Sequence, residues 1–161
     1  MVIYGVSFDM VGKQPIVLLK TANGNTFLPI WIGHAEAAAI LMRLQGSDSP
    51  RPMTHDLFTH VLSELDTRVT RITVTGLRDN TFYALITLRS ADAEIDVDSR
   101  PSDAIALAVR AEAPIFAADS VIAENGIEFD HEDEEQEAEE VVERFKEFLD
   151  QVSPEDFLTD Q

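Results

Sequence analysis

Acidic side chains are concentrated near one end of this 161-residue chain. Residues 124–161 contain 16 acidic and two basic side chains, a net charge of −14. Residues 1–123 contain 14 acidic and ten basic side chains, a net charge of −4. The body is therefore mildly acidic and the tail is a polyanion. We therefore expect one folded domain over residues 1–125 and an acidic helical tail over residues 126–161.

The same composition excludes several classes of function. A basic stripe normally supplies the affinity of proteins that hold nucleic acid by charge alone, and an acidic surface disfavours anionic membranes. Cysteine is absent, which removes disulfides, thiol catalysis and thiolate metal sites. No apolar stretch approaches the roughly 20 residues that cross a bilayer, and the first residues lack the pattern of a signal peptide. We therefore expect a cytoplasmic protein that binds no membrane.

Hydrophobic periodicity predicts strands and helices that do not alternate regularly. This indicates an α+β fold with a mixed β-sheet core, packed helices and a C-terminal acidic helix. The predicted strands cover residues 2–8, 15–20, 26–32, 68–77, 81–89, 91–98 and 114–117. The predicted helices cover residues 33–44, 54–66, 101–112 and 132–152. Residues 27–33 are assigned mostly to the core, and the helix over 101–112 is expected to be buried on most sides.

Two helix starts share an unusual pattern. Arg51-Pro52-Met53-Thr54-His55-Asp56 precedes one apolar helix, and Arg100-Pro101-Ser102-Asp103 precedes another. Hydroxyl caps, proline at the first helical position and aspartate near the dipole explain much of both segments, as would local ion pairs. Capping does not require an arginine before each proline, however, and a guanidinium beside free helix N–H groups is suited to bind phosphate. Both interpretations stay open at the level of the residues.

Carboxylates suited to a metal ion lie just before the second of these helices. Asp92, Glu94, Asp96 and Asp98 alternate with apolar residues, and a period of two places them on one strand face. Carboxylate oxygens are ligands that Mg²⁺ and Mn²⁺ favour, although a solvated face explains Asp92 and Glu94 more simply. Asp98 lies where the strand ends, and we predict that it binds a divalent cation together with Asp103.

Histidine supplies one candidate general base. His55 lies beside Asp56 at a helix start, where an imidazole can accept a proton from water, although a surface or capping role explains it more simply. His60 follows five residues later, so the two rings diverge by roughly 140° on a helix and form no zinc pair. No Gly-x-Ser-x-Gly stretch or glycine-rich phosphate loop is present, so ordinary hydrolase and nucleotidase interpretations lack support.

Four blocks of the sequence, taken together and in order, resemble the bifunctional nuclease domain family over roughly residues 1–125. They are Pro29-Ile30-Trp31-Ile32-Gly33 with Glu36-Ala37, Arg51-Pro52 with Thr54-His55-Asp56-Leu57, the segment 98–108, and Ala113-Pro114-Ile115. Residues 145–157 are also similar to the tail of bacterial members. The resemblance implies a small α+β domain, a homo-oligomer (dimer or higher) and activity on both DNA and RNA. By motif position it assigns the site to Arg51, His55, Asp56, Asp98, Arg100, Ser102 and Asp103.

Two functional hypotheses follow. In the first, the protein is a phosphodiesterase in which Asp98 and Asp103 bind a Mg²⁺ or Mn²⁺ ion that activates water. Arg51 and Arg100 stabilise the charge on the phosphoryl oxygens. His55 or Asp56 accepts a proton from the attacking water. In the second, the protein is a non-catalytic oligomeric module, regulatory or binding, in which the same residues are caps and ion pairs. Site residues are expected to be exposed in a cleft, whereas structural ones are expected to be buried and paired. The acidic tail is expected to shield the site as a mimic of nucleic acid.

Overall fold

A computed structural model describes residues 1–9, 13–47 and 49–128. The helix predicted over residues 132–152 therefore lies outside the described residues, as does most of the acidic tail. The described elements, in chain order, are β1 (Val2–Asp9), β2 (Gln14–Lys20), β3 (Thr26–Trp31), α1 (His34–Leu44), α2 (Thr54–Glu64), β4 (Arg68–Arg78), β5 (Thr81–Arg89), β6 (Glu94–Ser99), α3 (Pro101–Ala111), β7 (Ile115–Ala117), α4 (Asp119–Asn125) and β8 (Ile127–Glu128). The predicted α+β class is confirmed.

The strands form two four-stranded sheets. The first has the order β1-β2-β3-β8 and is antiparallel throughout, with the β2–β3 hairpin aligning Ile16 with Trp31 and Lys20 with Phe27. The second has the order β6-β5-β4-β7 and is mixed, because the short strand β7 runs parallel to β4. Strand β6 lies at an edge of this sheet and leads, through Arg100 alone, into α3.

One hydrophobic core joins both sheets to α1 and α3. Helix α3 contributes the largest helical share, since residues 104–108 are all buried, as predicted from their apolar run. It packs against α1, α2, β4 and β5, so its position relative to the sheets is set along its whole length. Its first turn, which carries Ser102 and Asp103, is thereby held at a defined place in the fold.

Helix α2 differs from the expectation for an amphipathic helix with a buried face. Of its five apolar positions only Leu62 packs against the core, whereas Leu57, Phe58, Val61 and Leu65 are exposed. The reason is its location, because α2 packs mainly against α3 and contacts the sheets only slightly, at β4. The polar first turn of α2, described below, makes its strongest contacts.

Two further differences concern the end of the described chain and the end of β3. Helix α4 and strand β8 were not predicted, and β8 pairs with β3 by aligning Ile127 with Phe27. Trp31, expected in the core, is exposed because it lies between the buried residues Ile30 and Ile32 and so points to the opposite face of the strand. Among the helices that the structure describes, none combines the length and apolar character needed to cross a bilayer.

Candidate functional site

The first turns of three helices meet around one arginine. Glu36 is the third residue of α1, His55 the second of α2, and Asp103 the third of α3. Arg100 occupies the N-cap position of α3 and contacts two of these side chains directly. Helix N-termini carry partial positive charge and free N–H groups. Their convergence at a guanidinium therefore creates a place suited to anionic groups.

The carboxylate of Asp103 is the centre of this cluster. Arg100 Nε donates to Asp103 Oδ2 at 2.7 Å, and Arg100 Nη2 donates to Oδ1 at 3.0 Å. The ring of His55 contacts the same Oδ1 through Nε2 at 3.2 Å. On its other side, Arg100 Nη2 lies 2.7 Å from Glu36 Oε1. The four side chains thus form a continuous chain of charge-assisted contacts, Glu36–Arg100–Asp103–His55.

The ionisation of this cluster follows from its contacts. Burial raises the pKa of Asp103, but hydrogen bonds from Arg100 and His55 and the charge of Arg100 lower it by more. The net pKa of this carboxyl group is therefore below that of an ordinary aspartate. Hydrogen bonds to Asp103 and its charge raise the pKa of Arg100, with a smaller contribution from Glu36. Because a carboxylate only accepts hydrogen bonds, His55 Nε2 carries the donated proton, which leaves Nδ1 as the basic nitrogen.

A glycine allows Glu36 to reach the cluster. Gly33 is the N-cap residue of α1, and a Cβ atom at this position would lie 2.2 Å from Glu36 Oε2. The Glu36 carboxylate therefore folds back over the glycine, into space that any other residue would occupy. This close approach explains the pairing of Gly33 and Glu36 in the first block of the sequence resemblance.

The second predicted acid of α2, Asp56, belongs to a separate buried pair. Its carboxylate accepts hydrogen bonds from Arg110 Nε and from the Met53 amide. Arg110 also donates to the backbone oxygens of Ala106 (2.9 Å) and Ala39 (3.2 Å), and its side chain is only 6% exposed. Burial raises the pKa of Asp56, while the hydrogen bonds from Arg110 and Met53 and the charge of Arg110 lower it by more. This pair ties α2 to α3 and, through Ala39, to α1.

Two residues of these clusters, Arg110 and Glu36, were not among the site residues predicted from the sequence. A signal for Arg110 was present, because it follows Asp103 by seven residues, which is about two helical turns and hence the same helix face. A charged residue on a helix otherwise buried in this way needs a partner. Glu36 carried a weaker signal, since an acid in the first turn of α1 is explained by the helix dipole alone.

The remaining predicted residues lie at different distances from the cluster. Ser102 is adjacent to it, on the wall of a cavity of about 700 Å³ that Arg100 also lines. A second cavity, of about 480 Å³, is lined by Asp56 and Arg110. Arg51 is exposed, forms no ion pair with the described residues and lines neither cavity. Asp98 is exposed on edge strand β6, opposite Leu85.

The side chains present near Asp98 and Asp103 test the predicted metal site. The described ranges contain no group of three or more histidine, aspartate or glutamate side chains arranged to hold a metal ion. Both oxygens of Asp103 already accept hydrogen bonds from Arg100 or His55. A cation at Asp98 and Asp103 would therefore have to displace these contacts and take further ligands from water or substrate. The divalent-metal assignment stays a prediction.

Comparison with known proteins identifies the family. A family model described as the bifunctional nuclease domain matches residues 17–130. An uncharacterized protein of Mycobacterium tuberculosis is 41% identical over 159 residues, which cover 96% of this chain and 95% of that protein. Bifunctional nuclease 1 of Oryza sativa subsp. indica and a bifunctional nuclease of Oryza minuta are each 25% identical over 122 residues, 74% of this chain and 37% of theirs. This chain belongs to the bifunctional nuclease domain family.

Proposed function

We propose that this protein hydrolyses phosphodiester bonds in DNA and RNA at the cluster formed by Glu36, His55, Arg100 and Asp103. The observation that carries the proposal is the convergence of three helix first turns on Arg100, with an Asp-oriented histidine beside it. Membership of the family and the names of the rice relatives support the same activity. The structural alternative explains the ion pairs but not why Arg100 is 65% exposed while its Nη1 donates to no described residue.

Arg100 is equipped to bind a phosphoryl group. Its Nε and Nη2 atoms are occupied by Asp103 and Glu36, whereas Nη1 donates to no described residue and the side chain is 65% exposed. The two carboxylates hold the guanidinium plane in place, so little side-chain entropy is lost when Nη1 donates to a phosphate oxygen. Charge that develops on the phosphoryl oxygens would then be stabilised by a donor already in position.

His55 supplies the proton acceptor. Asp103 fixes the ring through Nε2, and Nδ1 is then able to take a proton from an attacking water. The water oxygen forms a bond to phosphorus, the bond from phosphorus to the leaving oxygen breaks, and that oxygen takes a proton from solvent. Since a hydroxide-like nucleophile serves DNA and RNA alike, this step does not require a ribose 2′-hydroxyl.

The other predicted residues have secondary roles in this proposal. Asp56 is assigned as a positioning residue, because its pair with Arg110 holds α2 against α3 and so places His55 near Asp103. Arg51 stays a predicted phosphate contact for a longer substrate. Asp98 and Asp103 stay the predicted ligands of a Mg²⁺ or Mn²⁺ ion, and the steps above do not pass through that ion.

Cleavage assays with matched histidine variants test the proposal. Purified full-length protein is incubated with single- and double-stranded DNA and RNA, and the rates are compared for wild type, His55→Ala and His60→Ala. We expect His55→Ala to lower the rate by at least about 100-fold, the usual contribution of a general base. His60→Ala should leave the rate unchanged, since this exposed residue lies on the same helix but lines the other cavity. Equal rates for all three proteins would contradict the assignment.

The same assay, repeated with and without divalent metal ions, separates the two predicted roles of Asp103: orienting His55 and Arg100, or binding a metal ion. Reactions with Mg²⁺, Mn²⁺ or EDTA are run for wild type, Asp98→Asn and Asp103→Asn. If Asp103 acts by orienting His55 and Arg100, Asp103→Asn should lower the rate in every arm. If a cation on Asp98 and Asp103 is required, EDTA should abolish cleavage and Asp98→Asn should raise the metal concentration needed.

A second candidate, a non-catalytic oligomeric module, is favoured by one observation. The pairs Arg100–Asp103 and Arg110–Asp56 are both fully formed within the chain, as expected for structural residues. This candidate requires that no preparation cleave DNA or RNA with any metal, and that Arg100→Ala lower thermal stability. The homo-oligomer implied by the family resemblance is tested independently by light scattering of the full-length protein.

A further inference from the structure

The larger of the two cavities borders the cluster at Arg100, and the proposed hydrolysis does not use it. It lies between the end of β3 and the β4–β5 hairpin, with Trp31 and Phe82 on its walls and Arg100 and Ser102 at the start of α3. Its volume of about 700 Å³ falls within the range of roughly 300–1,000 Å³ that is typical of small-molecule sites. One part of the wall is aromatic, and another part carries hydrogen-bond donors.

The donor-rich part of the cavity contains an unsatisfied polar group. Ser102 is only 6% exposed, yet its hydroxyl forms no hydrogen bond with the described residues. In the same region no described side chain caps α3, and Pro101 occupies its first position. Buried hydroxyls and helix amides normally find partners. Together with Arg100 Nη1, these donors provide a site for a phosphate group.

The aromatic part of the cavity contains an indole that the protein core does not use. Trp31 is 49% exposed, although the strand that carries it is otherwise largely buried and a large aromatic side chain gains most by burial. It follows Ile30 in a short strand whose register is set by β2, so its backbone position is well defined. Exposed aromatic side chains beside phosphate-binding groups are the usual platforms on which unpaired bases stack.

We propose that this cavity binds one unpaired nucleotide of a single-stranded nucleic acid, with its base stacked on Trp31 and its phosphate at Arg100 and Ser102. The inference rests on the proposed function for the identity of the substrate and extends it to strand preference. A base within a duplex has both faces covered by its neighbours, so only an unstacked base can use Trp31. With a net charge of −4 over residues 1–123, the body also lacks the basic surface that holds duplexes by charge.

Intrinsic fluorescence tests the stacking directly, because Trp31 is the only tryptophan in the chain. Full-length protein is titrated with adenosine monophosphate, a short single-stranded oligonucleotide, its duplex and inorganic phosphate, with free tryptophan amide as the control for light absorption by the bases. We expect the mononucleotide and the single strand to quench the emission, and the duplex and phosphate to have little effect. Unchanged emission with the single strand, or equal quenching by the duplex, would overturn the proposal.

Variants at Trp31 connect the stacking to affinity. We expect Trp31→Ala to weaken binding of a labelled single strand roughly tenfold, measured by anisotropy, and Trp31→Phe to restore most of it. Phe116→Ala is the matched control, since Phe116 is 47% exposed but lies on β7 and does not line the cavity. Equal affinities for Trp31→Ala and wild type would overturn the proposal, provided that circular dichroism shows both to be folded.

These binding measurements need no catalysis, so they separate the two proposals. If the single strand binds through Trp31 but is never cleaved, the stacking site stands and the nuclease assignment fails. If the protein cleaves nucleic acid at a rate that depends on His55 but not on Trp31, and the duplex is cleaved as fast as the single strand, the nuclease assignment stands and the stacking site fails.

Discussion

Helix α3 carries two arginines whose surroundings are opposite. Arg100, at its start, is 65% exposed and keeps Nη1 free of the described residues, whereas the side chain of Arg110, near its end, is 6% exposed and donates to Asp56 and two backbone oxygens. Each forms an ion pair with an aspartate, so pairing alone does not distinguish a functional arginine from a structural one. Exposure and an unused donor do distinguish them.

The largest expected effect is on stability, at the buried end. Asp56→Ala leaves Arg110 charged and buried without its carboxylate, and removing one partner of such a pair costs roughly 3–5 kcal/mol. We expect a loss of about 3 kcal/mol in the unfolding free energy from urea denaturation. Asp103→Ala should cost less than about 1 kcal/mol, because the Arg100 side of its pair is solvated. Equal losses would show that the two ends of α3 do not differ as described.

The next effect is on catalysis, at the exposed end. Arg100→Ala should lower the cleavage rate about 100-fold by removing a preorganised donor, while the unfolding free energy changes by less than about 1 kcal/mol. Arg100→Lys should restore only part of the rate, since a single ammonium cannot reproduce the planar contacts to Asp103 and Glu36. A variant that is destabilised as strongly as Asp56→Ala would assign Arg100 a structural role.

A smaller effect is expected from moving Glu36 without removing it. In Gly33→Ala the new methyl group displaces the Glu36 carboxylate from Arg100, so one charge-assisted contact weakens and the rate should fall about fivefold. Gly5→Ala is the matched control, because a Cβ at Gly5 meets no atom within 4 Å. Cleavage rates of the two variants, measured beside wild type, make the comparison. Equal rates would mean that Glu36 does not help to position Arg100.

Acid titration of stability tests the ionisation of both aspartates. The pKa of each is lowered in the folded state, so between the folded and unfolded pKa values the unfolded chain binds more protons and stability rises with pH. Their contribution is complete above the ordinary carboxyl pKa of roughly 3.9 and is lost as the pH falls through the folded pKa. In urea midpoints across this range, Asp56→Asn and Asp103→Asn should each flatten the slope relative to wild type. Unchanged slopes in both variants would contradict this linkage.

The smallest effect concerns the acidic tail. The described chain ends at Glu128, and its neighbour Ile127 lines the same cavity as Arg100. Deletion of residues 129–161 keeps the β8 pairing and removes 14 acidic and two basic side chains, a net charge of −12. We expect the affinity for a labelled single strand to rise about threefold at low salt and to approach that of the full chain at high salt, as screening requires. Unchanged affinity at low salt would contradict a shielding role.

Much of the fold and part of the candidate site could be predicted because their causes are local. The alternation of apolar residues predicts β4 and β5 within a residue of their ends, and the Arg-Pro starts predict the first residues of α2 and α3. These starts also selected His55, Arg100 and Asp103, which the structure brings into contact. Helix α4 and strand β8 were missed because they are short and because β8 exists only through its pairing with β3.

The sequence by itself determined the α+β class and the residue types available at each helix start. Only the tertiary structure decided which arginine meets which acid. Asp56 lies one residue after His55, yet it pairs with Arg110 while His55 contacts Asp103. The reason is geometric: neighbouring residues on a helix point about 100° apart, so the packing of α2 against α3 turns His55 toward Asp103 and Asp56 toward Arg110.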